Sequence, residues 1–573
     1  MLICELLPLK TTKKITSLTY FTSLDVEIGD LVEINMNGQI LQAIIVNQSS
    51  IKDSKQEIRA KNFKIKKISK ITNKNYIDRN LLVEIYNIST LLATTLNNIF
   101  DTLIPVDILN QIKFAKRDVD PRHPNDSLNY NIDETFYIFP TNLELRKFKN
   151  KNPSQKNLCS TPSFEFLLYP NIKKIIIGNE SSKYYYSNFK NLDTKKALVY
   201  ICKILNIDVQ FEYNLPSLEL YKNVFLPNNK TLTELSLNHK EVEIIKMDKR
   251  IYLNKNLENI ITTSYKSNLN SKILLYTTRL GSYTQNICAD CSTPISCKKC
   301  NKPYILMETP EGNYYKCSVC KDKIKIITET KCENCGGWNI KALGIGTEGI
   351  WTYLQDLLKG ELKIDNVKIE NIIHNINSEK TNTAPKVEKT LNDFMMKSGL
   401  DIMIATEQIL PALHEDIFDH VFIVSMDSLF YINDYNIDER VFFIVNGLKS
   451  SLKKTKSSNI YLQTRMSQKF IDTNLRRITS SDLDQFYIRE LQNREKNNLP
   501  PYCNILTYEA LNNMQVPSFL KDYKTLKIPI NYNTTRFVFF IPSEAWSQDS
   551  KLRELCTENL FQFNLKINNK EIF

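Results

Sequence analysis

Residues 288–335 read CADCSTPISCKKCNKPYILMETPEGNYYKCSVCKDKIKIITETKCENC. Four Cys-x2-Cys pairs stand in this stretch: Cys288/Cys291, Cys297/Cys300, Cys317/Cys320 and Cys332/Cys335, separated by five, sixteen and eleven residues. Such a pair lets two thiolates of one tight turn reach the same ion, and two pairs complete a tetrahedral structural Zn²⁺ site. Four pairs therefore imply two zinc ions, with no ligand left over for catalysis. Spacing leaves two pairings open, neighbours in order or an outer set enclosing an inner one. Disulfides are the competing reading, and this spacing in a chain without secretory features argues against them. Each site should add on the order of 10 kcal/mol of apparent metal-binding free energy to local folding. A segment this short, with few large apolar residues, needs that support.

Outward from the cysteines, 573 residues exceed what one core can organise, and three to five domains are expected. At 42% hydrophobic and 24% charged, the composition is that of a soluble globular protein. A net charge of +12 favours a polyanionic partner, nucleic acid before membrane. No run of 18 apolar residues predicts a transmembrane helix, so no membrane partner is expected. The start, MLICELLPLKTTKK, lacks the basic-then-apolar order of a signal peptide. Cys4, Cys159, Cys202, Cys503 and Cys556 are scattered and read as buried thiols. A cytoplasmic chain is the expectation.

Residues 1 to about 70 read as short strands, with a hairpin over Gly29–Gln48 turning at Asn37-Gly38. The basic strand KNFKIKKISKI follows, its lysines alternating with apolar residues. Helical periodicity then runs from about Asp78 to Leu109. A polar, proline-bearing linker covers Lys116–Asp133. Beyond it FYIFP, FEFLLYP, KKIIIGN and IDVQF read as strands, with a helix near KKALVYICKIL, which predicts a parallel-sheet lobe. After the cysteines, a helix at GIWTYLQDLL, the strands LDIMIAT and HVFIVSMD, and a helix over about Asp438–Lys453 predict a second α/β lobe. The residues following Leu499–Pro501 read as a small α/β domain.

Two α/β lobes flanking a zinc insert call for a search for a phosphate loop. Such a loop needs glycines whose backbone N–H groups cradle phosphates, then Gly-Lys-Ser/Thr. None of the thirteen glycines precedes a lysine, and none lies between Gly38 and Gly178. No HExxH, GxSxG or Ser/His/Asp spacing takes its place. By residues alone, the chain reads as a binder and not an enzyme.

The order of these parts resembles the PriA family of replication restart proteins, superfamily 2 helicases. The cysteine cluster and its flanks carry the most specific match. LLYTTRLGSYTQNICADC keeps Arg279 and Gly281 of the family's Asn-Arg-Arg-Gly segment, with Thr278 and Leu280 as departures. ALGIGTEGI carries its Gly-x-Gly-Thr-Glu at Gly344–Glu348. The resemblance implies that Cys288, Cys291, Cys332 and Cys335 hold one zinc. It implies that Cys297, Cys300, Cys317 and Cys320 hold the other.

Elsewhere the match is partial. KKIIIGNESSKYYYS stands in place of Asp-Glu-Glu-His, keeping Glu180 while Gly178, Asn179 and Ser181 replace the rest. LCSTPSFEF keeps Thr161, Ser163 and Phe166 of Gly-Thr-Arg-Ser-Ala-Leu-Phe, and Leu215–Asn223 matches the segment after motif III. IMIATEQILPAL resembles Gly-Thr-Gln-Met-Leu-Ala-Lys-Gly with Ala405, Pro411 and Ala412 as departures. Asp434–Arg440 matches, but NGLKSSLKK, at the arginine-finger position, has no arginine.

The expected fold is multidomain α/β: two degenerate RecA-like lobes, an inserted double zinc ribbon, a β-rich N-terminal DNA-binding domain and a small α/β C-terminal domain. The domains fall at 1–112 (3′-end DNA binding), 113–134 (linker, winged helix absent), 135–270 (lobe 1), 271–287 with 336–485 (lobe 2), 288–335 (zinc insert) and 486–573. In the N-terminal domain the resemblance implies that Tyr20 stacks on a terminal base, with Gly38 and Lys64 at the remaining pocket positions and Lys64 on a phosphate. Thr19 replaces the pocket's Asp, which weakens selection for a free 3′-OH. The expected function is a restart protein without helicase activity that marks stalled or branched forks. It would recruit primosome components or the replicative helicase or its loader, and single-strand-binding protein as a further partner. Catalytic residues are none, ATP is doubtful as a cofactor, and a monomer is expected. The alternatives are an ATP-dependent 3′-5′ DNA helicase of the family, or a zinc-ribbon nucleic-acid-binding scaffold outside restart.

Overall fold

The computed structural model describes residues 1–9, 18–36, 38–50, 65–103, 134–160, 171–187, 192–228, 230–232, 240–247, 253–278, 285–288, 290–291, 295, 297, 304–307, 312–317, 322–325, 331–332, 334–343, 346–376, 383–431, 434–511, 517–531, 534–558 and 565–568. Several separate sheets make this a multidomain α/β protein. The chain divides into two compact units, Met1–Tyr221 with Asn493–Ile572, and Lys222–Gln492.

The first unit opens with a six-stranded sheet. Its spatial order is Lys66–Lys67, Leu18–Thr22, Leu2–Pro8, Gln39–Ser50, Leu31–Met36, Lys70–Asn73. The expected hairpin is present. Met36 pairs with Gln39 across a two-residue turn, and Gly38 sits at φ +86°, a region glycine enters without a Cβ penalty. Asp78 starts the helix Arg79–Leu91 by accepting hydrogen bonds from the Asn80 and Leu81 amides at 2.8 and 3.2 Å. That helix and Leu96–Leu103 bury Leu82, Ile85, Ile88, Ile99 and Phe100 in one core with the next sheet.

The next sheet is parallel, in the order Asp208–Phe211, Lys174–Ile177, Thr135–Phe139, Leu158–Ser160. Helices Asn142–Lys151 and Thr194–Ile204 belong to it. FYIFP, KKIIIGN and IDVQF are strands as expected, while FEFLLYP and residues 113–133 of the linker lie outside the described residues. Because the helix Arg79–Leu91 shares this lobe's core, residues 1–112 and the lobe are not independent packing units. The C-terminal antiparallel sheet Lys524–Asn531, Thr534–Pro542, Cys503–Leu511, Lys566–Ile567 joins the same unit. Trp546 Nε1 donates to the Leu91 carbonyl at 2.9 Å, and Ala93 enters the C-terminal core.

The second unit holds a six-stranded, all-parallel sheet. Its order is Val242–Lys246, Asn459–Thr464, His420–Ser425, Ser271–Thr277, Leu400–Ala405, Ile373–Ile376. Every residue of Ser271–Thr277 and Leu400–Ala405 is buried, as central strands covered on both faces must be. The helices Thr347–Gly360 and Ile437–Ser450 match the sequence reading. One boundary is corrected. Val242–Lys246 was assigned to residues 135–270, yet it pairs with Asn459–Thr464 and lies in the second unit. A partner more than 200 residues away leaves no local trace, and an apolar edge strand reads alike in either lobe.

Candidate metal centre

The segment after Ser271–Thr277 returns to the sheet through Thr347–Gly360, and between them two short strands form a neck. Gln285–Cys288 pairs antiparallel with Ile340–Leu343, setting Cys288 opposite Ile340. The last knuckle closes on itself through Cys332 N to Gly337 O at 2.7 Å and Gly336 N to Cys332 O at 2.8 Å, with Gly336 at φ +71°. The sulfurs of Cys288, Cys291, Cys332 and Cys335 consequently converge, all within 4.8 Å of one another. Cys288 Sγ lies 3.5 Å from Cys335 Sγ, and Cys291 Sγ 3.6 Å from Cys332 Sγ. Four sulfurs at about 2.3 Å around a tetrahedral zinc stand about 3.8 Å apart. The set thus fits a zinc ion, and the separations exclude disulfides.

Two neighbours shape this set. A Cβ at Gly337 would overlap Asp290 Oδ2 and stand 3.2 Å from Cys335 Sγ, so a larger residue there must displace the Asp290 carboxylate and press on the sulfur. Asp290 accepts a hydrogen bond from Asn339 Nδ2 at 3.2 Å. Neither feature was picked out in the sequence, although Gly-Gly directly after the last cysteine was the available signal. Trp338, 79% exposed on the same knuckle, was missed as well.

Of the inner set, Cys297 and Cys317 are buried together with Tyr304 and Tyr315 beside a three-stranded sheet, Tyr304–Met307, Tyr314–Cys317, Lys323–Lys325. Tyr304 donates to Asp322 Oδ2 at 2.9 Å. Cys300 and Cys320 lie outside the described residues.

No family model matches the chain. Curated relatives do. A replication restart protein PriA from Borreliella burgdorferi is 25% identical over 410 residues, 67% of this chain and 58% of the relative. Proteins of that name from Thermotoga maritima and Rickettsia conorii are 21% and 24% identical, over 65% and 59% of this chain and 48% and 51% of theirs. The chain is a divergent PriA-like protein. It spans about half the length of the curated relatives it matches.

That finding corrects the expectation that the chain is not an enzyme. The relatives named above are PriA proteins, members of the helicase family whose resemblance the motifs already carried. Departures from the motifs therefore do not by themselves make the chain a non-enzyme. Among the described residues, some of the matched segments are in contact with one another. Glu180, 3% exposed, takes an ion pair from Lys195 and hydrogen bonds from Ser217 Oγ at 2.7 Å and Ser217 N at 2.9 Å, joining the segment that stands in place of Asp-Glu-Glu-His to Leu215–Asn223. Beside it, burial pushes the Glu144 carboxyl above the usual range, against hydrogen bonds from Asn179 and Thr141. Arg440 of the matched Asp434–Arg440 segment pairs at 2.6 Å with Glu407 of ATEQ. At the arginine-finger position Lys449 is 2% exposed and donates to the Thr479 carbonyl at 3.0 Å. Thr161, Ser163 and Phe166 lie outside the described residues.

Tyr20, expected to stack on a terminal base, lies in the core of the N-terminal sheet. Its ring, 5% exposed, packs with Cys4, Val32, Ile34 and Ile68, and its hydroxyl donates to the Asn35 carbonyl at 2.9 Å. No ring face remains for a base, because the sheet register aims the side chain into the core. Gly38 is open, with no atom within 4 Å of a Cβ built there. Lys64 lies outside the described residues. Among the described residues no helix is long and apolar enough to cross a membrane.

Proposed function

We propose that this PriA-like chain acts in replication restart, binding branched or stalled forks and recruiting primosome components or the helicase-loading machinery. The convergence of Cys288, Cys291, Cys332 and Cys335 carries the reading, taken with relatives that bear the restart name. The outer cysteines hold a structural zinc, and the inner four complete a second. Zinc supplies a rigid crosslink here: the thiolates bind it, and the neck strands and Gly336 aim them. The two parallel sheets are the helicase lobes, and a net charge of +12 supplies the attraction for DNA phosphates.

The test is anisotropy binding to a fork with a 3′-OH leading-strand end, compared with a blocked end, linear duplex and single-stranded RNA at one salt concentration. Preference for the fork is expected. Equal binding to every polyanion would overturn fork recognition. DNA-stimulated ATP hydrolysis and unwinding are measured on the same preparation.

A further inference from the structure

Three tryptophans occur in the chain, and they are placed differently. Trp546 is 4% exposed and hydrogen-bonded, and Trp351 packs against the core of the second unit. Trp338 is 79% exposed. An indole left in water forgoes a large burial gain, so its position calls for a reason. Nor does it ride on a loose loop. The bonds from Cys332 N to Gly337 O and Gly336 N to Cys332 O close the knuckle just before it, and Ile340 N donates to the Trp338 carbonyl at 2.8 Å. Asn339, the next residue, is tied to Asp290. Lys331 and Trp338 flank the Cys332–Gly337 bond that closes the turn, one residue outside each end of it, and both are exposed.

We infer that Trp338 is a stacking platform for an unpaired base of single-stranded DNA, with Lys331 meeting the adjacent phosphate. Bases stack on exposed aromatic rings whatever their identity, and a neighbouring cation supplies the backbone contact. A rigid mount keeps the ordering cost of that contact low. The exposed lysine at the other end of the closed turn and the chain's net positive charge favour a polyanion over an apolar protein surface. This deepens the DNA-binding reading above and rests on it.

Intrinsic fluorescence of the zinc-loaded full chain, titrated with oligothymidylate and with a duplex of equal length, tests the assignment. Trp338 is the one exposed tryptophan of the three, so under selective tryptophan excitation oligothymidylate should quench the emission and shield it from iodide, while duplex should do neither. Trp338→Ala should weaken oligothymidylate binding roughly 5- to 100-fold, with Trp338→Phe recovering part of the loss. Lys331→Ala should lower the slope of log K against log salt by about 0.7, one phosphate contact on a single strand. Unchanged zinc content in each variant shows that the knuckle is intact. Tight oligothymidylate binding with unaltered emission, equal affinity in Trp338→Ala, no oligothymidylate binding at all, or a response only to a protein would each overturn the inference. Loss of fork preference with the oligothymidylate response intact would overturn fork recognition and leave the platform standing.

Discussion

The sulfurs of Cys288 and Cys335 lie 3.5 Å apart although 47 residues separate them in sequence. The neck pairing of Gln285–Cys288 with Ile340–Leu343 brings them together, and a shared ion would lock that pairing. Wild-type protein should therefore carry two zinc ions per chain by elemental analysis, and Cys288→Ser should carry one. The neck of that variant should also become protease-sensitive, because metal binding and local folding are one free energy. Retention of two ions by Cys288→Ser would sink the outer-set assignment. One ion in the wild type would sink the inner one.

Glu180 and Lys195 form an ion pair whose acid is 3% exposed, and Ser217 completes the acceptor's partners. Removing only the cation leaves a buried carboxylate without its counter-charge. Lys195→Met should thus cost about 3–5 kcal/mol in urea unfolding of the full chain. Adding Glu180→Gln should restore most of that, because the amide oxygen can still accept from Ser217. A cost below about 1 kcal/mol for Lys195→Met would mean that water reaches the pair.

The sheets were legible because their strands carry a period that burial explains. Leu400–Ala405 and His420–Ser425 are apolar runs set among helical segments, the pattern of a covered parallel strand. The knuckle spacing likewise determines chemistry without reference to fold. What escaped depends on contacts between distant residues. Val242–Lys246 belongs with Asn459–Thr464 through hydrogen bonds no local pattern encodes. Tyr20 was assigned by its place in a family motif, but the register Cys4 to Tyr20 aims it inward. Lys195 carries no signal of its own in the sequence, and its role comes from the buried Glu180 that the fold sets against it.

Lys449 is buried, and desolvation pushes its ammonium down to about 8, with Glu241 opposing. The unfolded side chain titrates near 10.4, so below pH 8 the folded state bears the full cost of holding the charge, about 3 kcal/mol. As pH rises from 8 to about 10.4, the folded group has lost its proton while the unfolded one retains it, and that cost is withdrawn. Lys449→Met gives up the hydrogen bond to Thr479, about 1 kcal/mol. It should therefore raise stability at pH 7 by about 2 kcal/mol, and the gain should vanish by pH 10. Urea midpoints at pH 7, 8.5 and 10 check this. A gain independent of pH would show that charge is not its source.

Tyr20 separates packing from recognition. Tyr20→Phe keeps the ring and loses only the hydrogen bond to the Asn35 carbonyl, so about 1–2 kcal/mol of stability should go. Tyr20→Ala empties a site lined by Cys4, Val32 and Ile34 and should cost about 3–5 kcal/mol. Binding to a 3′-OH fork should be the same for Tyr20→Phe and wild type under conditions where both are folded. A large affinity loss confined to 3′-OH ends would show that the ring leaves the core to meet DNA.

Gly337 lies where the metal set and its neighbour leave no room. A methyl group there would overlap Asp290 Oδ2 and press Cys335 Sγ from 3.2 Å, displacing the last ligand of the outer set. Gly337→Ala should therefore release one zinc to a chromogenic chelator at least tenfold faster than wild type, as expected when support for a ligand is disturbed. Asp290 is the closer obstacle, and its aspartate side chain is exposed. Asp290→Ala combined with Gly337→Ala removes the overlap and should recover most of the retention, whereas Asp290→Ala alone should change it little. A double variant no better than Gly337→Ala would place the strain at Cys335 itself, and retention by Gly337→Ala at the wild-type level would show that the knuckle opens to accept the methyl.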